Sequence, residues 1–222
     1  MIKQETRYLR NIGVIISVLL AVCFLSLPFK VDAGIIFKAP TSIGLLDGLV
    51  GYWSFNSPDM AGVTAYDRSG QGNNGTLTNG PVRAIGKIGQ ALDFDGSNDY
   101  VDIGAGPSSV NSVSFWVYPK TTTEYFVNLT GTTDYIWSDA GTITATGITS
   151  PTIYVNGIVS STLVANQWQH VAVVTNTAEN ASNLDIGRTQ DLNNLEGLID
   201  DVRVYNRALS PDEIRRLYNM GR

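Results

Sequence analysis

The chain has 222 residues, a net charge of −5, 22 glycines and charged side chains at only 16% of its positions. That length allows one domain with a sizeable core plus an appendage, and the low charge with repeated Asn-Gly and Asp-Gly pairs favours short strands joined by tight turns, an all-β class. An acidic balance without a basic cluster repels phosphate backbones, so no nucleic acid is expected as a partner.

Residues 1–33 read as an export segment. Lys3, Arg7 and Arg10 form a basic head, and the 19 residues from Asn11 to Phe29 carry no charge. Val31-Asp32-Ala33 offers small residues for cleavage before Gly34, the pattern of a signal peptide. A retained membrane anchor is the other reading, because residues 11–29 are long enough to cross about 30 Å of hydrocarbon. Cys23, the sole cysteine, lies inside this run, so the remainder has no thiol with which to form a disulfide. Residues 1–33 hold four of the 15 basic and two of the 20 acidic side chains, so their removal takes the net charge to −7.

Residues 34–47 read as a linker, and the domain is expected over 48–222. Leu49, Gly51, Trp53 and Phe55 share one face of a first strand. The following AYDRSGQGNNGTLTNGP, dense in Gly, Asn and Asp, is a run of turns. Ala91–Phe94 and Tyr100–Ile103 are short strands expected to form a hairpin about Asp95-Gly96. Val113, Phe115 and Val117 alternate with Ser114, Trp116 and Tyr118 in the next strand. Further strands occupy 124–147, with turns at Gly131 and Gly141, and Asn156-Gly157 is the strongest hairpin signal in the chain. In Glu196–Tyr205, Leu198, Asp200, Val202 and Val204 fall on one face, and Ile199, Asp201, Arg203 and Tyr205 on the other. Ser210-Pro211-Asp212-Glu213 is a helix start with a cap, a proline at the first helical position and a capping box; Leu209, Ile214, Leu217 and Tyr218 follow as an apolar stripe, ended by Gly221.

The closing GLIDDVRVYNRALSPDEI resembles the final segment of LamG-like (concanavalin A-like) jelly-roll domains of bacterial exported proteins. The likeness extends to the Trp53-x-Phe55 strand, to the turn residues Asp67, Ser69, Gly70, Gly72, Asn73 and Gly75, and to the strands around Phe115, His170 and Leu184. One departure stands out: the hairpin Tyr154 to Gly157 precedes the Trp168-x-His170 strand, whereas the family's usual order is the reverse. The resemblance implies an antiparallel jelly-roll β-sandwich with a short C-terminal helix.

The chemistry in the chain is sparse. Glucanases of this overall fold carry a Glu-x-Asp-x-Glu strand, which holds two carboxylates at catalytic separation, and no such run occurs here. Glu124, Glu179, Glu196 and Glu213 stand apart, so no catalytic residue is assigned and a glycoside hydrolase is the least favoured reading. His170, the only histidine, has no cysteine with which to build a zinc site, and reads as a packed residue. Asp200 falls on an apolar face and must be paired, hydrogen-bonded or metal-bound. In relatives with this closing strand the equivalent Asp resembles a ligand of structural calcium, which would make Asp200, Asn56 and Asn74 the candidate metal ligands. The alternative is a carboxylate that caps loop amides. Tyr125, Tyr135 and Trp137 are the candidate ligand-binding residues, since flat rings there would stack on sugars or contact protein; core packing is the competing reading for Trp137 and the expectation for Trp53, Trp116 and Trp168. The resulting expectation is a secreted or cell-surface, noncatalytic binding or adhesion module whose partner is a glycan or cell-surface protein. The competing class is a membrane-anchored structural subunit of the envelope.

Overall fold

The computed structural model describes residues 44–189 and 193–222. The expected signal or anchor, and most of the linker, lie outside the described residues. Among the described residues no helix is long and apolar enough to cross a membrane.

The first strands are β1 (Leu49–Trp53), β2 (Met60–Ala61), β3 (Thr64–Ala65), β4 (Gly75–Thr78) and β5 (Val82–Ile85). Next come β6 (Gln90–Asp95), β7 (Tyr100–Gly104), β8 (Val110–Pro119), β9 (Glu124–Asn128), β10 (Tyr135–Asp139) and β11 (Thr142–Thr146). The last group is β12 (Thr152–Val155), β13 (Ile158–Val159), β14 (Gln169–Glu179), β15 (Leu184–Ile186), β16 (Arg188–Thr189), β17 (Asn193–Asn194) and β18 (Glu196–Tyr205). Helix α1 (Pro211–Met220) closes the chain.

Two eight-stranded antiparallel sheets face each other. The first runs β13-β12-β14-β8-β18-β6-β5, with β1 also paired to β18; the second runs β11-β10-β9-β15-β7-β4-β3-β2. Their inner faces interdigitate, with the Phe115 ring of the first sheet 5.6 Å from the Phe126 ring of the second. Trp53, Phe94, Val101, Ile136 and Ile199 fill the same core. This is the all-β jelly-roll sandwich with a short C-terminal helix that the sequence implies.

Three local expectations change. β6 and β7 do not form a hairpin: β6 pairs with β5 and β18 in the first sheet, and β7 with β4 and β15 in the second. The Gly96–Asp99 segment therefore carries the chain between sheets, held where the Asp95 N–H donates to Asp99 Oδ2 and the Ser97 N–H to Asp95 Oδ1. The strict alternation of β18 is also broken. Asp200 lies opposite Trp116 and Arg203 opposite Ser114, so two residues of β18 share the place facing Phe115. Asp201 takes φ +53°, a bulge conformation. Ile199 and Val202 consequently both face the core, and Asp200 does not share their face. In β1 a register shift between Leu49 and Gly51 turns Leu49 outward while Trp53 stays in the core.

The outer face of the first sheet is covered. Ile214 and Leu217 of α1 pack with Leu45, Leu49, Tyr154 and Tyr205 in a second apolar cluster. The capping box forms as read: Ser210 Oγ accepts from the Glu213 N–H at 3.3 Å, and Glu213 Oε2 accepts from the Ser210 N–H at 2.8 Å. Arg207 ties this helix start to the entering chain through Glu213 Oε1 at 2.7 Å and the carbonyls of Gly44 and Asp47. The hydrogen bonds from Arg207 hold the Glu213 carboxyl down at about 2, against an opposing effect of burial. Leu45, 1% exposed, is thus packed into this cluster although its stretch reads as linker.

The crossing from β15 to β16 depends on Gly187, whose φ is +90° and whose added Cβ would run into the Phe94 ring. Gly187→Ala is expected to lower stability by about 3 kcal/mol through combined backbone strain and overpacking, read as a drop in the urea midpoint. An unchanged midpoint would show that the crossing tolerates a side chain.

Candidate functional site

Among the described residues no helix packs over the outer face of the second sheet, and its exposed row begins on β9 and β10. Alternation sends Phe126 and Ile136 inward and leaves Tyr125, Tyr135 and Trp137 half-buried on the outside. A bulge between the Ile136 and Trp137 pairings sets Trp137 directly opposite Tyr125. Their rings stack at 5.4 Å with 16° between planes. Tyr135 closes the cluster at 6.4 Å from Tyr125 and 6.3 Å from Trp137. The Trp137 indole N–H donates to Thr146 Oγ1 of β11 at 2.9 Å, which fixes the ring plane. Burial, with Tyr135 and Asp139 nearby, pushes the Tyr125 phenol up. The structure therefore brings all three expected ligand-binding residues into one aromatic platform.

β16 runs beside β9, following a Gly187 N–H bond to the Phe126 carbonyl. On it Arg188 lies flat over Tyr100, its guanidinium carbon 3.3 Å from the ring centre. Arg188 Nε donates to Asp185 Oδ2 at 3.1 Å. Burial raises the Asp185 carboxyl above its ordinary range, an effect that Arg188 opposes. Beyond Arg188 a cavity of about 320 Å³ opens, lined by Tyr100, Arg188 and the loops around Asn79, Asn98 and Asn194. Sequence reasoning missed Tyr100 and Arg188 as site residues. Alternation in β7 puts Tyr100 outward, but only the fold shows that Arg188 reaches its ring.

Asp200 and Asn56 meet on the turn between β5 and β6. Asp200 Oδ2 accepts from the Ile88 N–H at 2.7 Å, and Asn56 Oδ1 accepts from the Gln90 N–H at 2.8 Å. Gly86 is required there, because a Cβ would lie 2.6 Å from Asp200 Oδ2. Asp200 is fully buried, and its Oδ1 has no partner among the described residues. Burial drives its carboxyl up to about 7, the Ile88 amide pulling it down and Asp201 pushing it further up. Asn74 sits on a different turn, its Oδ1 receiving the Asp67 N–H at 2.9 Å. Among the described residues no group of three His, Cys, Asp or Glu side chains is placed to hold a metal. The capping role is thus met directly, while two of the three expected calcium ligands share one turn.

His170 is packed, as its setting in the sequence implies. Its Nε2 lies 2.9 Å from Ser114 Oγ, but both residues are sealed, at 2% and 1% exposure. Burial, with Arg203 nearby, drops the imidazole to about 3, so it stays neutral. Trp53 is in the core and Trp116 is buried under α1, edge-on to His170. Trp168 departs from expectation: it precedes β14 and is half-exposed against Tyr118, outside the core.

Residues 174–215 match the family model described as the concanavalin A-like lectin/glucanases superfamily. No curated protein matches the chain. Among solved structures, the fold is similar to domain 4 of AbnA, an extracellular arabinanase from Geobacillus stearothermophilus solved with arabinotriose. Identity is 22% and the TM-score 0.56, over 77% of this chain and 98% of that one. The binding domain of Paraclostridial Mosquitocidal Protein 1 matches at 17% identity and TM-score 0.56, over 79% of this chain and 52% of that one. The ligand-binding domain of botulinum neurotoxin serotype D, solved with N-acetylneuraminic acid, matches at 15% identity and TM-score 0.53, over 81% and 52%. This chain thus spans nearly all of the arabinanase domain and about half of each toxin domain. The resemblance to LamG-like, concanavalin A-like domains holds in both motif and fold.

The raised Asp200 carboxyl sets a pH dependence. Between the ordinary aspartate range and about 7 the folded chain keeps a proton that the unfolded chain has released. This contribution to stability therefore weakens as pH rises through that window, by roughly 3 kcal/mol between pH 5 and pH 8. Asp200→Asn should remove it, so urea midpoints of parent and variant should diverge less steeply with pH than this difference requires only if Asp200 is not the titrating group.

Proposed function

We propose that this chain is a noncatalytic glycan-binding module, exported to act in secreted or cell-surface form, with the outer face of its second sheet as the contact surface. The stacked, half-exposed Tyr125 and Trp137 rings carry this reading. Sugars present flat C–H faces to such rings, and this near-parallel pair with Tyr135 beside it offers a chain of sugars more than one apolar contact. Neighbours of the same fold solved with arabinotriose and with N-acetylneuraminic acid support a glycan as partner. The opposite sheet is a poorer surface, since α1 covers it.

A glycan array probed with the full chain is expected to show binding that Trp137→Ala weakens at least about tenfold without lowering the melting temperature substantially. Binding that survives this substitution undiminished would move the contact surface elsewhere.

For calcium, the proposal narrows to Asp200 and Asn56. Asp200 Oδ1 is buried with no hydrogen-bond partner among the described residues, and the Asn56 carbonyl oxygen retains a second lone pair beside its bond to Gln90. Added calcium should raise the melting temperature of the parent and leave that of Asp200→Asn in place. An equal shift in both proteins would remove Asp200 as a ligand.

A further inference from the structure

The cavity at the end of the second sheet has a chemistry of its own. At about 320 Å³ it falls within the range of small-molecule sites. Its walls are cross-tied: Asn79 Nδ2 donates to the Asn98 carbonyl at 2.9 Å, and Asn194 Nδ2 donates to the Ser97 carbonyl at 2.6 Å. Three separate loops are thereby held in fixed relation. Each asparagine commits one Nδ2 N–H to these bonds, which sets its amide plane, and Asn79 Oδ1 and Asn194 Oδ1 remain as acceptors.

Arg188 is the single cation among the described residues of the lining. Its Nε is committed to Asp185, and its plane is fixed on the Tyr100 ring. Nη1 and Nη2 make no bond among the described residues, and the side chain keeps 20% of its surface exposed. Among the described residues no carboxylate lines this cavity, although the chain is acidic overall and the adjoining pocket holds Asp93, Asp95 and Asp99. A planar guanidinium with free terminal N–H groups matches a carboxylate, and flanking amide oxygens match hydroxyl donors.

We propose that this cavity binds the carboxylate of an acidic sugar on the free edge of Arg188, with the ring hydroxyls donating to Asn79 and Asn194. The proposal rests on the glycan-binding reading and assigns it a ligand class: a pyranose bearing a carboxylate, either a uronic acid or a sialic acid.

Titration calorimetry on the full chain tests it, with two matched pairs of probes: sialyllactose against lactose, and digalacturonate against its neutral galactose dimer. At least one acidic member should bind about tenfold or more tightly than its neutral counterpart, because a charge-assisted pair is lost in the latter. Which pair shows the preference identifies the sugar class. Arg188→Gln should abolish the preference. Since that change also strips Asp185 of its partner, Asn98→Asp supplies a second test on an exposed position of the rim: the added negative charge should lower acidic-sugar affinity severalfold relative to the neutral reference. Equal affinity for acidic and neutral members, or a preference untouched by Asn98→Asp, overturns the proposal and leaves the glycan-binding reading intact. Failure of every sugar to bind, on the array and in solution, overturns both.

Discussion

Strand β18 must satisfy three neighbours and two buried faces at once, and the rest of the sandwich is arranged around how it does so. One edge pairs with β8 along nearly its whole length, while the other pairs first with β6 and then with β1. A regular strand could not turn from one partner to the next without losing its inward face. The two-for-one bulge at Asp201 resolves this by resetting the alternation, so that Ile199 and Val202 both reach the core. Asp201 holds Arg203 through two hydrogen bonds of 3.1 Å, and Arg203 in turn covers the Tyr52 ring. A buried charge pair is a poor source of stability by itself. Its position here is explained by register: it holds the bulge at the point where the neighbour changes.

The bulge also decides what the first sheet does with its outer face. Asp200, Trp116, Ser114, His170 and Arg203 all lie there, a polar row buried in the shadow of the helix and the β5–β6 turn. The row contains a serine, a histidine and a carboxylate, and His170 is packed there as its setting in the sequence implies. In the fold it is sealed. Burial keeps His170 neutral and raises the Asp200 carboxyl, so the interior carries less charge than these residue types would bring in water.

The second sheet has the opposite arrangement. Among the described residues no helix lies above it, so outward side chains are left as surface, and there the chain places aromatic rings and one stacked guanidinium. The two parts of this surface suit different portions of a sugar. Rings meet the apolar face without regard to charge, whereas Arg188 and the flanking amides discriminate among substituents. A binding surface with both features separates affinity from selectivity.

What was legible in the sequence was whatever depends on local periodicity. Period-two runs mark the strands, Asn156-Gly157 marks its hairpin with φ of +53° and +79°, and Ser210-Pro211 with Glu213 marks the helix start. Tyr125, Tyr135 and Trp137 were legible as candidates, but core packing competed for Trp137, and the bulge that sets it opposite Tyr125 left no mark in the sequence. Pairing between distant strands was not legible. Asp95-Gly96 reads as a hairpin turn, but whether two consecutive strands join one sheet or cross to another depends on partners far away in the chain. The bulge in β18 is silent for the same reason, as it answers to β1 and β6 and leaves the alternation in the sequence unbroken. The Arg188–Tyr100 stack joins residues 88 positions apart, and no local pattern records a contact made only when distant strands of the second sheet come together.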